Sequence, residues 1–263
     1  MSHLRYLLAE ATDVPDGDTW LALSEAAFQQ TLHIPHRRAD WRLGRWAAKK
    51  ALAAWLGQSV APERIAIHPA PDGAPEMLLD GGAAPVALSY SHRAGRALCM
   101  LAPLGTTLGC DLELIEPRTD AFVADYFTAA ERDLVTQASS TERPLLANLL
   151  WSAKESALKA LRTGLRMDTR SVEVDLEDWR VEGSQPWKPL RVRLVETGKI
   201  FQGWWRREED SLLTLCASPA QREPALPARN FPFIVPPRCP PRDPRPVFLM
   251  AFNETPPSPP APG

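Results

Sequence analysis

Apolar and polar residues alternate along the first 218 positions with two periods, one typical of helices and one typical of strands. Apolar residues recur every three to four positions in two long segments, 36–57 and 149–164, which predict the principal helices. Shorter helical patterns cover 18–33 and, in two pieces separated by the polar sequence ASSTER, 119–146. Strands are predicted at 4–9, 64–68, 85–103 (a hairpin around HRAG), 106–117, 171–178, 190–196 and 211–217. The mixture predicts an α+β fold.

The helix at 149–164 has a polar stripe opposite its apolar face. Trp151, Glu155, Lys159 and Arg162 follow one another at spacings of four, four and three residues, which places them on one side. The opposite side, which predicts the core contact, contains Leu150, Ala153, Ala157, Ala160 and Leu161. The stripe has two interpretations, an exposed Glu–Lys pair worth about 0.2–0.5 kcal/mol or part of a binding site.

A weak internal duplication connects the two long helices. Trp46-Ala-Ala-Lys49-Lys50 aligns with Trp151-Ser-Ala-Lys154-Glu155 at an offset of 105 residues. The strands that follow fit this offset approximately, RIAIH with SVEVD and PVALSYS…ALCML with PLRVRLV…LLTLC. We therefore predict two similar α/β subdomains related by a pseudo-twofold axis, 1–104 and 105–218, with the ligand site in the cleft between them.

The composition changes sharply at Pro219. More than half of the 27 prolines lie between Pro219 and Pro262, so we predict a proline-rich tail over 219–263. Its first residues (219–230) are expected to form a linker, and its end (255–263) is typical of disordered or polyproline-like chain. The apolar sequences NFPFIV and PVFLMAF leave docking on the body or on a partner open. Because the duplication ends near residue 218, we expect the fold to end there.

Charge and cysteine content limit the classes of function. The net charge of −2 gives no global basic field for nucleic acid, and no apolar run reaches the roughly 20 residues needed to span a bilayer. Cys99, Cys110 and Cys216 lie in apolar strand-like runs without metal-ligand spacing, as buried thiols do in a reducing compartment. The sequence therefore predicts a cytoplasmic protein that binds neither nucleic acid nor membrane.

Acidic residues form the most specific candidate site. Asp111 and Glu113 point to the same face of a strand, and two adjacent carboxylates need a cation to be stable together. Oxygen ligands without His or Cys suit Mg²⁺ or Mn²⁺, and Glu155 could add a third carboxylate if its helix packs across the strand. Such a set is typical of phosphoryl transfer. The alternative is a solvent-exposed strand face.

A hydroxyl and an imidazole follow another apolar strand, at Ser91 and His92. Their position at a turn suits phosphate binding, although a turn histidine without a ligand is the simpler interpretation. A serine hydrolase is disfavoured because the chain lacks a G-x-S-x-G elbow. Basic residues also recur along the first long helix, at Arg38, Arg42, Arg45 and Lys49, either as a solvent-exposed face or as phosphate-binding groups.

Two motifs together resemble one protein family. Gly109-Cys110-Asp111-Leu112-Glu113, followed some forty residues later by WSAKESALK (151–159) and preceded by SYSH (89–92), resembles the 4′-phosphopantetheinyl transferases. The signature there is roughly (I/V)-G-(I/V)-D-(I/V)-E and (W/F)-(S/T/C)-x-K-E-(S/A)-x-x-K. The chain length and two matched halves resemble the large, monomeric surfactin-synthetase-activating type over about residues 20–218.

The resemblance implies an activity and a set of roles. Mg²⁺ (or Mn²⁺) would be held against the pyrophosphate of coenzyme A by Asp111, Glu113 and Glu155. Glu155 would remove the proton from a serine of an apo acyl or peptidyl carrier protein. The serine oxygen would then attack the β-phosphate, and 3′,5′-ADP would leave. The transition state and the nucleotide phosphates would be contacted by Lys159, Ser91, His92 and Arg45, with Arg38, Arg42 and Lys49 as possible helpers from their spacing alone.

The sequence departs from the family pattern at the coenzyme A site. Gly73-Ala74-Pro75 stands where many members have Gly-Lys-Pro, so a phosphate-binding lysine is missing, and Arg93 after His92 could compensate. Two other functions use the same residues. One is a metal-dependent phosphohydrolase of CoA-like nucleotides, which would act without a carrier protein. The other is a non-catalytic module that binds coenzyme A or a carrier protein.

Overall fold

The computed structural model describes residues 4–57, 59–180 and 186–226. The helices in these ranges are α1 (Leu23–Gln29), α2 (Pro35–Leu56), α3 (Asp120–Tyr126), α4 (Ala129–Gln137) and α5 (Arg143–Ala160). The strands are β1 (Arg5–Glu10), β2 (Ile65–Pro69), β3 (Pro75–Leu79), β4 (Gly82–Ala83), β5 (Val86–Arg93), β6 (Arg96–Pro103), β7 (Thr107–Leu114), β8 (Val172–Asp175), β9 (Lys188–Leu194), β10 (Ile200–Glu208) and β11 (Ser211–Ser218). The predicted α+β class is confirmed.

The N-terminal half packs helix α2 on a three-stranded antiparallel sheet of order β1-β6-β5. Gly57 ends the helix in the left-handed conformation, as its sequence pattern predicts. Gly44 lets the helix approach β5 closely, because a Cβ there would lie 2.8 Å from the Tyr90 ring. Strands β2, β3 and β4 form a second small sheet.

The C-terminal half repeats this arrangement on a larger sheet. Its five strands run in the order β7-β11-β10-β9-β8, and α5 packs across them over an apolar cluster that includes Leu146, Leu150, Ala153 and Ala157. The segment β7-β11-β10 matches β1-β6-β5 in order and direction. The two similar halves predicted from the sequence are therefore present in the fold.

The strand alignment inside the duplication was wrong in one place. The counterpart of β5 is β10, a strand that was not predicted, and not the strand at 190–196. The hairpin tips, Arg93↔Arg96 and Glu208↔Ser211, are 115 residues apart, whereas the helices match at 105. The C-terminal half therefore has ten extra residues between its helix and its hairpin.

A buried ion pair is duplicated along with the fold. The ammonium of Lys49 lies 2.5 Å from Glu25, and that of Lys154 lies 2.8 Å from Glu131; all four side chains are at most 2% exposed. Each glutamate also accepts two backbone N–H groups, from Ala22 and Ile67 in one half and from Thr128 and Val174 in the other. Each pair joins the long helix to the elements before and after it.

Other contacts argue against the suggestion that Arg38, Arg42 and Lys49 of the basic stripe help to bind phosphate. Lys49 is fully buried and donates to two carbonyls in addition to Glu25. The Arg42 guanidinium binds Asp18, Gln29 and the carbonyls of Pro15 and Gly17, and Arg38 Nε donates to the carbonyl of Leu32. These three residues anchor the segment before α2.

The boundaries of several helices differ from the predicted ones. The first helical stretch is shorter, at 23–29. The polar sequence ASSTER (138–143) separates two helices as predicted, α4 and α5, but the helical piece before it is itself divided into α3 and α4. The break occurs at Phe127 because Thr128 and Glu131 form a reciprocal capping box that begins a new helix. The helical piece after ASSTER continues into the predicted central helix, because α5 runs from Arg143, the last residue of that sequence, to Ala160, with Pro144 in its first turn. The small strands β3 and β4 were not predicted.

The fold continues past residue 218. Ala225 forms a parallel bridge with Arg5, and its backbone exchanges hydrogen bonds with Leu4 (3.2 Å) and Tyr6 (3.1 Å) along the outer edge of β1. The predicted polyproline-like end and the sequences NFPFIV and PVFLMAF lie outside the described residues. In the described part of the chain, no helix has the length and apolar character required to cross a membrane.

Candidate functional site

The candidate site forms where α5 crosses β7. A Cβ on Gly109 would lie 1.9 Å from the Ser156 carbonyl oxygen and 2.5 Å from the Ala160 nitrogen, so only glycine permits this approach. The strand presents Asp111 and Glu113, and the helix presents Glu155 and Lys159 one turn apart. The close crossing brings the two predicted motifs together.

Asp111 is the centre of the hydrogen-bond network. Its Oδ1 accepts from the Lys159 ammonium at 2.7 Å and from the Ser91 hydroxyl at 2.8 Å. Its Oδ2 accepts from the Ser152 hydroxyl at 2.9 Å. Lys159 Nζ is also 3.1 Å from Ser91 Oγ, so these two residues and Asp111 form a closed triangle. Since Ser91 belongs to β5, the two halves meet at this carboxylate.

Glu113 lies among aromatic and cationic groups. Trp151 Nε1 donates to its Oε1 at 3.1 Å, Arg118 donates to its Oε2 at 3.2 Å, and Arg93 Nε lies 3.7 Å away. Burial raises the pKa of Glu113 and repulsion from Asp111 adds to this, while the two arginines oppose it. Arg93, offered as a replacement for the missing lysine, is thus engaged with Glu113 and, at 2.9 Å, with Glu116.

Glu155 and Lys159 have electrostatically coupled side chains. Burial raises the pKa of Glu155, Lys159 opposes the rise, and repulsion from Asp111 and Glu113 increases it. Burial acts to lower the pKa of Lys159, but the attraction of Asp111, Cys110 and Glu155 outweighs it and the pKa is raised. Glu155 is therefore a stronger base than an ordinary glutamate, and Lys159 retains its proton more strongly than an ordinary lysine.

His92 lies at the basic side of the site. Burial lowers its pKa, and the nearby charges of Lys159 and Arg45 act in the same direction, against the influence of Asp40 and Asp111. Arg45 is held separately, with its guanidinium 4.2 Å over the Trp41 ring and Nη1 donating to the Tyr90 hydroxyl at 2.9 Å. His92 therefore lies within electrostatic range of both Arg45 and Asp111.

The predicted site residues divide into two groups by their contacts. Ser91, Asp111 and Lys159 touch directly, while Glu113, Glu155 and His92 surround them within electrostatic range. Arg162, predicted on the same stripe, instead leaves the helix in the left-handed region (φ 59°) and binds Asp72 and Glu76 of the other half. Its neighbour Arg166 donates to the Asp72 carbonyl, in the turn that contains Ala74.

Two contributors were not predicted from the sequence. Ser152 was noted only as a motif position, yet it bonds Asp111 and, at 2.8 Å, Thr214 of β11. Arg118 connects Glu113 to the buried amide of Asn148. The motif around Ser152 indicates that this residue lies near the site. Its partner Thr214 is 62 residues away, and no motif in the sequence connects the two.

The site fits a divalent cation by chemistry but not by arrangement. Asp111, Glu113 and Glu155 supply oxygen donors, and a cation would offset the burial and the mutual repulsion that raise the pKa of both glutamates. However, the Lys159 ammonium already forms an ion pair with Asp111, and Arg118 forms one with Glu113. Among the described residues, no group of three or more His, Cys, Asp or Glu side chains is placed so that it could hold a metal ion.

Comparison with known proteins identified one family. Residues 107–216, which include both motifs, match the family model described as the 4′-phosphopantetheinyl transferase superfamily. A holo-(acyl-carrier-protein) synthase from Bacillus anthracis, solved with CoA (3′,5′-ADP), is 19% identical over 39% of this chain and 95% of its own, with a TM-score of 0.34. The holo-[acyl-carrier-protein] synthase of Thermotoga maritima is 19% identical over 48% and 75%, with a TM-score of 0.30. No curated protein sequence matches the chain.

Proposed function

Because residues 107–216 match the model of the 4′-phosphopantetheinyl transferase superfamily, we propose that this chain is a member of that superfamily and modifies carrier proteins. The donor is coenzyme A, and the acceptor is a serine hydroxyl of an apo acyl or peptidyl carrier protein. The observation that carries the proposal is the triangle of Asp111, Lys159 and Ser91 with Glu155 one helical turn from Lys159. It places a carboxylate base close to a cation that can neutralise phosphate charge, and phosphoryl transfer uses both kinds of group.

The proposed reaction forms one P–O bond and breaks another. The serine oxygen attacks the β-phosphorus of coenzyme A, which carries the pantetheine, and the bond to the bridging oxygen breaks, so that 3′,5′-ADP leaves. Glu155 accepts the serine proton directly or through a water.

The cations of the site stabilise the charge that accumulates on the pyrophosphate. Lys159, already within 2.7 Å of Asp111, is placed to move its ammonium toward the phosphate oxygens. Ser91 and His92 contact the nucleotide phosphates from β5. Arg45, held over Trp41 and against Tyr90, binds the 3′-phosphate at the far end of the nucleotide.

We propose Asp111, Glu113 and Glu155 as ligands for Mg²⁺, or for Mn²⁺ in its place. The ion would neutralise charge on the bound pyrophosphate. Its binding requires Lys159 and the arginines to release the carboxylates that they contact in this structure.

Release of 3′,5′-ADP from coenzyme A tests the reaction class. We expect release in the presence of Mg²⁺ and an apo carrier protein and none when the carrier is omitted. Release without the carrier would identify a phosphohydrolase. Binding of coenzyme A or of the carrier without any release would identify a non-catalytic module.

The Glu155→Gln variant tests the proposed base. It keeps the size of the side chain but removes the proton acceptor, so we expect release to fall by about 100-fold or more while the protein remains folded. Glu196→Gln, at an exposed turn position, is the matched control and should keep the wild-type rate. Equal rates in the two variants would exclude Glu155 as the base.

A further inference from the structure

Three buried hydroxyl groups extend inward from Asp111. Ser152 Oγ lies 2.9 Å from Asp111 Oδ2 and 2.8 Å from Thr214 Oγ1, and Thr214 Oγ1 lies 2.8 Å from Ser156 Oγ. All three side chains are almost completely buried. The close approach at Gly109 packs α5 directly against the strand beside them.

Each of the three hydroxyl groups has one proton to donate, and this fixes the direction of every hydrogen bond between them and Asp111. A carboxylate can only accept, so the single hydroxyl proton of Ser152 is donated to Asp111. Thr214 must therefore donate to Ser152, and Ser156 must in turn donate to Thr214. The three protons point one way, toward Asp111, and hydrogen bonds aligned in this manner strengthen one another.

The N-terminal half shows that the fold does not need hydroxyl groups here. The helix offset and the strand registers match Ser152 with Ala47, Ser156 with Ala51, Thr214 with Cys99 and Asp111 with Leu7. These four counterparts are buried together in one apolar cluster. In the half that has Leu7 in place of Asp111, apolar side chains make the same packing. The three hydroxyl groups therefore occur only in the half that has the buried carboxylate.

We infer that Ser152, Thr214 and Ser156 form a one-way hydroxyl relay that positions the Asp111 carboxylate for catalysis. The relay holds Oδ2 toward the core and so leaves Oδ1 facing Lys159 and Ser91. These are positioning residues, since all three side chains are buried and act on the site through Asp111. The catalytic part of this inference rests on the proposed function, whereas the positioning part does not.

A matched pair of substitutions at Thr214 separates the relay from simple packing. Thr214→Val keeps the shape of the side chain and removes the hydroxyl, whereas Thr214→Ser keeps the hydroxyl and removes a methyl group. The relay predicts that the valine variant loses more kcat than the serine variant. If only packing matters, the serine variant, with its methyl-sized cavity, is the more impaired, and that result would overturn the inference.

Ser152→Ala breaks the relay next to the carboxylate and should have the largest effect. We expect kcat to fall by about tenfold or more, as for other groups that orient a catalytic residue, with KM for coenzyme A little changed. Crystal structures of the wild type and of this variant provide a readout independent of activity. We expect Asp111 to turn and to lose its contacts with Lys159 and Ser91.

An unmoved Asp111 in the Ser152→Ala structure would refute the relay, whatever the rate. If that variant does not fold, the position of Asp111 is compared between crystal structures of Thr214→Val and Thr214→Ser, and an Asp111 that is unmoved in Thr214→Val would refute the relay. Failure of the wild type to modify any carrier protein would instead refute the proposed function, and the structures would still decide whether the relay positions Asp111.

Discussion

Two lysines in the WSAKESALK motif have opposite environments although they are five residues apart. Lys154 is fully buried and bound to Glu131 and to the carbonyls of Thr169 and Val172. Lys159 is partly exposed and reaches Asp111 in the candidate site. The sequence indicated that Lys159 is functional, but it gave no signal that Lys154 is structural, because Glu131 lies on a different helix.

Substitution of each lysine by methionine should separate stability from activity. Lys154→Met leaves Glu131 charged and unpaired in the core, so we expect a loss of about 3–5 kcal/mol in the free energy of unfolding. Lys159→Met should lose transfer activity with a much smaller effect on unfolding. Denaturant titration and the 3′,5′-ADP assay measure the two properties. A Lys159→Met variant with full activity would contradict the account.

The elements that could be predicted from the sequence are those whose apolar period is regular. Helix α2 and the β5–β6 hairpin were predicted within one residue of their observed ends. Strand β10 was missed because adjacent tryptophans, Trp204 and Trp205, interrupt its alternation and charged residues follow them. The capping box at Thr128 is a recognisable local signal in the sequence. The contacts of Ser152 with Thr214 and of Ala225 with β1 connect distant positions and have no local signature.

The segment after β11 provides an element-scale prediction. A chain ending at Leu226 keeps the two backbone hydrogen bonds between Ala225 and the edge of β1, whereas a chain ending at Pro219 loses them. At about 0.5–1.5 kcal/mol for each bond, we expect the shorter chain to be about 1–3 kcal/mol less stable. Thermal unfolding of the two truncated proteins measures this difference. Equal midpoints would show that the fold ends at residue 218, as the duplication alone suggested.

At the scale of the whole molecule, one duplicated scaffold has acquired different chemistry in each half. Both halves keep the buried Lys–Glu pair and the helix-on-sheet packing. The C-terminal half supplies the carboxylates and Lys159, while the N-terminal half supplies Ser91, His92 and Arg45. The site therefore depends on how the halves are held together, and the contact of Arg162 with Asp72 is one of the links between them.

The pH dependence of stability tests that link. The Arg162 guanidinium beside Asp72 lowers the pKa of that carboxyl to about 2, so the contribution of Asp72 is complete above pH about 4 and is lost as the pH falls toward 2. Asp72→Asn should therefore lower the midpoint of thermal unfolding at pH 7, and its difference from the wild type should shrink as the pH falls through 2. In a double-mutant cycle with Arg162→Met, the coupling should disappear over the same interval. Coupling that is as strong at pH 2 as at pH 7 would contradict this assignment.

Intact-mass spectrometry of an apo carrier protein tests the central claim most directly. After incubation with this protein, coenzyme A and Mg²⁺, we predict that the carrier gains the mass of one phosphopantetheine group, and that the gain disappears when its acceptor serine is replaced by alanine or when Glu155→Gln replaces the wild type. The absence of any gain on both acyl and peptidyl carrier proteins, with folded enzyme, would contradict the proposed transfer.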